Sequence, residues 1–365
     1  MLIGDITHYL ESRYPLSLQE SYDNCGLTYG HKTHEVQGIL FALDVTEGIV
    51  REAISKKCNL IISHHPVVFR GLKQINGSNM TERVLELCIK NDIALYAIHT
   101  NLDNHKEGVN KRIADKIGLS DLKILKPKKD TLVKLCVFVP EEAETELSDA
   151  LYNAGAGSVG NYSECNFTTE GKGSFKPNIN AKPKTGELHK KNELAEIKAE
   201  YLVPLAHLNQ VLNAMHANHP YEEVAHDIIP LHNIQQDMGS GMIGSLKKPI
   251  ASKKFLKHLK STFNTGVIKH TALVKDEIKT VAICGGSGSF LIESARRKRA
   301  DIYITSDLKY HEFFDAENSM LVCDIGHFES EKYTISLFAE ILSKKLPNFA
   351  VLLSKTKTNP LNYYS

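Results

Sequence analysis

The chain has 365 residues, enough for two or three domains, and its 44 Lys and Arg against 43 Asp and Glu leave a formal net charge of +1. That balance excludes a global basic field of the kind that draws a protein to nucleic acid or to an anionic membrane. Seven cysteines, scattered singly with no C-x-x-C pair, argue against a disulfide framework and a thiolate zinc site, and with no basic-then-apolar leader or bilayer-length apolar run the expected location is cytoplasmic.

From the start to about residue 127, helical and strand-like segments alternate: helix "IGDITHYLESRY", strand "GILFAL", helix "EGIVREAISKK", strand "LIISHH", helix "MTERVLELCIKND" and strand "ALYAIHT". Such alternation predicts parallel strands with crossover helices, an α/β architecture. In open sheets of that kind chemistry sits beyond the carboxyl ends of the strands, and "SHHP" and "HTNLD" fall at such ends.

The basic stretch "KPKKD" opens a second region, residues 128–235. It reads as strand "LVKLCVFVP", helix "AETELSDALYNAG", strand "VGNYSECNFTT", a Gly/Lys/Pro-rich loop through "PKTGELHKKN", strand "AEIKAEYLVP", helix "LNQVLNAMHANHP" and strand "VAHDIIPL". The β-α-β-β-α-β order predicts an inserted ferredoxin-like α+β domain. From about Gly239 the first pattern resumes with helix "SKKFLKHLKSTF", strand "TVAICGG", helix "FLIESARRKR", strand "DIYIT", helix "KYHEFFDAEN", strand "SMLVCDIG" and one long final helix; "TKTNPLNYYS" reads as a tail. Residues 1–127 and 236–365 are thus expected to form one discontinuous core domain around the insert.

The final helix, "HFESEKYTISLFAEILSKKL", carries an apolar stripe of Phe338, Ile341 and Leu342, with Glu329, Lys332, Glu340 and Lys344 on the other side. Extended backwards, the stripe reaches His327 and Glu331, four apart and so on one face. An imidazole and a carboxylate heading into the protein need partners, and a divalent ion such as Zn²⁺, Mn²⁺ or Fe²⁺ would satisfy both. In "NLIISHHPVVFRG" the strand ends at Ser63 and Pro66 keeps His65 extended, so the turning backbone can aim both His64 and His65 at one cavity. "AIHTNLDNH" adds His99, Asp103 and His105, with Asp103 as the expected bridge. His64, His65, Asp103, His327 and Glu331 are too many ligands for one open site and suit two ions about 3.5–4 Å apart. Taken singly, each piece has a plain structural alternative; the insert's His207, His216, His219, His226 and His232 read as ordinary surface or core residues.

Two further stretches stay open between structure and function. "AICGGSGSF" could cradle an anion on backbone N–H groups, or it could be a plain tight turn. "ITSDLKYHEFF" places Asp307 and His311 at i, i+4 behind a strand.

"SYDNCGL", "LDVT", "SHHPVVF", "HTNLD", "HPYEEVAHDI", "CGGSG", "DIYITSDLKYHE" and "DIGHFESE", in that order over nearly the whole length, make the chain resemble the Nif-three-like family, also called the GTP cyclohydrolase I type 2 family. The resemblance implies a dinuclear metal site on His64, His65, Asp103, His327 and Glu331, a ring-shaped homohexamer, and an insert similar to PII and CutA proteins. The family often has Trp where this chain has Tyr22, and the chain contains no Trp. The family name implies a nucleotide substrate, with opening of a purine's imidazole ring and release of formate. Two classes of function remain. One is a metal-dependent hydrolase with two divalent ions per chain and His99 or His311 shuttling protons, acting on GTP or on a phosphoester. The other is a non-enzymatic metal-holding or regulatory scaffold whose insert senses a ligand. For a triphosphate the candidate contacts are the "GGSGS" loop, Lys309 and Arg70.

Overall fold

The segments Ile39–Ala42, Leu60–Ser63 and Ala94–Ala97 are apolar but for Ser63 and the Tyr96 hydroxyl and are buried at every position, as parallel strands covered on both faces require. In the computed structural model, which describes residues 1–235, 237–345, 349 and 351–364, they form the parallel centre of a five-stranded sheet. Gly26–Tyr29 borders it antiparallel on one edge and Val351–Leu353 parallel on the other. Alternation along each strand sends Leu40, Ile61 and Leu95 to the helices Glu47–Ser55 and Met80–Lys90. Those helices start on side-chain caps from Thr46 and Asn79, each worth about 1 kcal/mol.

The opposite face, with Phe41, Ile62 and Tyr96, shares one core with Ile283, Ile304 and Cys323 of a second, six-stranded sheet. Its order is Lys269–His270, Leu321–Asp324, Ile302–Ser306, Glu277–Ser287, Gly239–Ala251 and Leu119–Pro127. Glu277–Ser287, Ile302–Ser306 and Leu321–Asp324 run parallel and the others antiparallel. The chain divides into two compact units, Met1–Pro127 with Gln236–Ser365, and Lys128–Gln235. By itself the second unit is an antiparallel sheet ordered Asn166–Phe175, Asn192–Pro204, Leu132–Val139, His226–Leu231. Leu147 and Leu151 of one helix and Val211 and Met215 of the other complete its core with Leu135, Val137 and Tyr201. All seven cysteines are free, and no described helix is long and apolar enough to cross a membrane.

Several elements differ from the sequence reading. The long final helix is two, His327–Glu331 and Thr334–Lys345, and Glu329, assigned to the outer side, is buried. The tail is not loose where it begins: Val351–Leu353 pairs with Ile39–Phe41, and Thr356 and Thr358 hydrogen-bond into the core unit. Leu119–Pro127 and Gly239–Ala251 are strands that the reading omitted, because they stabilise each other across more than a hundred residues of chain, Pro127 to Gly239 being the shortest pairing, and carry little local signal. The second strand of the insert runs from Asn166 to Phe175, through "EGKGSF", because ten successive residues pair with Asn192–Tyr201. "KYHEFFDAEN" forms a short 3₁₀ segment, Tyr310–Ala316.

Candidate metal centre

The three central parallel strands end in register, Ala42 opposite Ser63 and Ser63 opposite Ala97, so Asp44, His64, His65 and His99 emerge along one edge. From the second sheet come Gly285 and Gly286 on Glu277–Ser287, Asp307 directly after Ile302–Ser306, and His327 and Glu331 on the short helix after Leu321–Asp324. Gly326, at φ +93°, makes the turn into that helix, a conformation that glycine adopts without steric cost.

His64 is fully buried, and its Nδ1 lies 2.9 Å from the Ile98 carbonyl. A carbonyl only accepts, so Nδ1 carries a proton and Nε2 is the ring atom left to face the cluster. That atom lies 3.6 Å from Asp103 Oδ1 and 3.8 Å from Glu331 Oε1. Both His64 Nε2 and Asp103 Oδ1 are buried without a hydrogen-bond partner. His65 Nδ1 is 2.7 Å from Asp44 Oδ1, and Thr358 donates to the other oxygen of Asp44. His327 Nδ1 is 2.5 Å from Asp307 Oδ2. Their Nε2 atoms face each other at 3.3 Å, with Glu331 Oε2 at 3.0 Å from one and 2.9 Å from the other.

Three imidazoles therefore point Nε2 inward while a carboxylate or carbonyl holds Nδ1, the arrangement by which proteins orient metal-binding histidines. Glu331 presents an oxygen to each side: Oε1 toward His64, Oε2 toward His65 and His327. Without a cation the cluster has to be held by protons. Burial pulls the pKa of His65 down, but the hydrogen bonds that its ring donates to Asp44 and Glu331 outweigh it and push it up to about 9. Burial of His327 is likewise outweighed by Glu331 and Asp307, raising it to about 11. Glu331, despite burial, is held well below the usual carboxylate range, chiefly by His327. Burial lifts Asp103 to about 7, with His99 opposing and Glu331 reinforcing. Orphaned buried atoms and facing nitrogen lone pairs fit a divalent cation, which replaces such protons on binding. His65, His327 and Glu331 form one group with the spacing to hold an ion, and His64, His65 and His99 another.

His99 stands against this cluster, its ring 5.1 Å from that of His64 and 5.2 Å from that of His65. Its Nδ1 is held at 2.9 Å by Asp23, which also accepts from the Thr100 and Cys25 side chains. His311 lies elsewhere: it is exposed, with Tyr310 and Phe314 as ring neighbours. His105 packs edge-on against Tyr14 and accepts from the Glu107 N–H. The glycine loop serves packing. Gly286, at φ +63°, leaves the space that Glu331 Oε1 fills, since an added Cβ would lie 2.3 Å from that atom.

The sequence reading missed Asp44 and Asp23 and did not pair Asp307 with His327, although "LDVT", "SYDNCGL" and "ITSDLK" each carried the residue. An apolar strand ending in a carboxylate was the available signal for Asp44 and Asp307.

The profile of the Duf34/NIF3 (NGG1p interacting factor 3) family matches residues 1–360. The chain is 38% identical over 368 residues to a Bacillus subtilis protein named GTP cyclohydrolase 1 type 2 homolog, covering 98% of this chain and 97% of that one. A Staphylococcus epidermidis protein of the same name is 34% identical with both chains fully covered. Among solved structures, a Bacillus cereus protein related to NIF3 superimposes with a TM-score of 0.85 at 36% identity, covering 100% of this chain and 99% of that one. Staphylococcus aureus protein SA1388 gives 0.77 at 29%, with the same coverage.

Proposed function

The chain belongs to the Duf34/NIF3 family, and from that premise we propose that it is a metal-dependent hydrolase holding two divalent ions per chain, Zn²⁺, Mn²⁺ or Fe²⁺. The observation that carries this reading is the convergence of three Nε2 atoms and two carboxylates with His64 Nε2 and Asp103 Oδ1 left unpartnered in the interior. His64, Asp103 and one oxygen of Glu331 would hold one ion; His65, His327 and the other oxygen of Glu331 would hold the second. When bound, such ions supply Lewis acidity and lower the pKa of a water. Asp44 and Asp307 orient His65 and His327, and His99, held by Asp23, would take or give a proton at Nε2. The relatives' name brings GTP, with release of formate, as the first reaction to assay.

We extend the proposal to the assembly and the insert. A cytoplasmic, ring-shaped homohexamer follows from the family resemblance. A ferredoxin-like, PII/CutA-like reading of residues 128–235, as an insert in one core domain, is supported by the antiparallel order of their four strands.

Elemental analysis after reconstitution tests the metal centre. Two ions per chain are expected in the wild type, and Glu331→Gln should lose at least one, because the amide is a poorer ligand for both sides. A wild type that takes up no ion overturns the reading. A fully loaded protein that turns over neither GTP nor other hydrolysable compounds favours the metal-holding scaffold instead.

A further inference from the structure

Beside the candidate metal centre, and entirely within the core unit, lies a cavity of about 190 Å³ reaching Asp103, His327 and Glu331. That is below the ~300–1,000 Å³ of sites for drug-sized ligands. Two aromatic side chains line it while remaining largely in solvent, Tyr22 at 61% and Phe290 at 54% exposure. Large aromatics left exposed at the rim of a polar cavity mark a surface meant to be covered, and a flat ring stacking on them is the cover that suits their faces.

The charge of the wall narrows the choice. Three carboxylates line the cavity, Glu20, Asp103 and Glu331, and among the described residues no Lys or Arg does. Lys126 lies over the Phe290 ring, 5.7 Å from its centre, but is not part of the lining. Lys309 and Arg70 are exposed and do not line it either. The glycine loop offers no phosphate cradle at its first two residues, because the Gly285 N–H donates to Asn110 and the Gly286 N–H to Ser330. With Asp103 and Glu331 taken up by two divalent ions, the described lining sets no Lys or Arg against a polyphosphate, whereas the Ser240 and Ser287 hydroxyls can accept from a ligand that carries N–H donors.

We propose that this cavity takes an uncharged, planar, N–H-bearing heterocycle, of the nucleobase or nucleoside kind, in preference to a nucleoside triphosphate. The proposal rests on the hydrolase reading for its chemistry, but its binding arm can be scored without turnover. Guanosine and GTP share a ring and differ in charge, so their dissociation constants on the metal-reconstituted full chain, measured by calorimetry, separate the two cases. Guanosine is expected to bind at least about 10-fold tighter than GTP. Tyr22→Ala and Phe290→Ala should each weaken guanosine about 5- to 100-fold, the range of base–aromatic stacking, with metal content unchanged by elemental analysis. Glu20→Lys should shift the preference toward GTP. Tighter binding of GTP than guanosine by the wild type, alanine variants that bind guanosine as the wild type does, or a metal-loaded wild type that binds none of guanosine, inosine, uridine and hydantoin would overturn the proposal. Failure to take up metal would instead strike the hydrolase reading, and the same titrations on the metal-free chain would still decide ring against triphosphate.

Discussion

Gly286 sits where a single methyl group would reach the centre of the site. Its φ of +63° disfavours any side chain, and a Cβ would lie 2.3 Å from Glu331 Oε1. Gly286→Ala is expected to displace the Glu331 carboxylate, lower metal affinity at least 10-fold and destabilise the fold by about 1–3 kcal/mol. Metal titration together with a thermal melt checks this; unchanged affinity would mean that Glu331 has room to shift. The inward-facing imidazoles were legible in the sequence because strand ends and an i, i+4 helix spacing are local patterns. Their orienting carboxylates were not, since Asp44 acts 21 residues from His65 and Asp23 acts 76 residues from His99. Glu331's place between the two groups of imidazoles depends on which way each oxygen faces, and no spacing encodes that.

Elements whose pattern is self-contained were readable: the buried strands, and the amphipathic helices with Thr46 and Asn79 at their starts. Elements made by distant partners were not, and Val351–Leu353 is the clearest case. It adds to the sheet beside Ile39–Phe41, and its continuation is fastened by Glu52, which accepts from the Ser354 and Thr356 hydroxyls, the Lys355 and Thr356 N–H groups, and Lys56. Burial disfavours the Glu52 carboxylate, but these donors outweigh it and lower the pKa from 4.5 to about 2. A depressed folded-state pKa contributes stability that is full above 4.5 and is lost as pH falls toward 2. Glu52→Gln should therefore be less stable by about 1–2 kcal/mol at neutral pH. The gap in Tm between variant and wild type should close as pH falls from 4.5 to 2; a gap that stays constant would assign the stabilisation to neutral packing.

For the molecule as a whole, the join between the units is informative. Leu119–Pro127 and Gly239–Ala251 are antiparallel neighbours with Pro127 opposite Gly239, so residues 128–235 occupy the place of a hairpin turn. Replacing them with a flexible linker of about five residues is expected to leave a soluble core that binds metal as the full chain does, since every proposed ligand lies outside the excised region. Assembly, read by light scattering, is the property expected to change. A folded core without metal affinity would show that the insert shapes the site. The alternation of helix and strand on either side of the insert made this division readable from the sequence. The strand pair that closes it was not, because each partner becomes a strand only beside the other.

The hydrogen bond from Thr358 to Asp44 makes the end of the chain a tether on the chemistry. Asp44 aims His65, so slack at Thr358 is passed, through two hydrogen bonds, to a half-buried imidazole far from it in sequence. A protease that nibbled the last dozen residues, or a purification handle pulling on them, would act on that ring from outside without touching a ligand. If the proposed ions are held there, samples that differ only at this end would differ in how firmly they hold them.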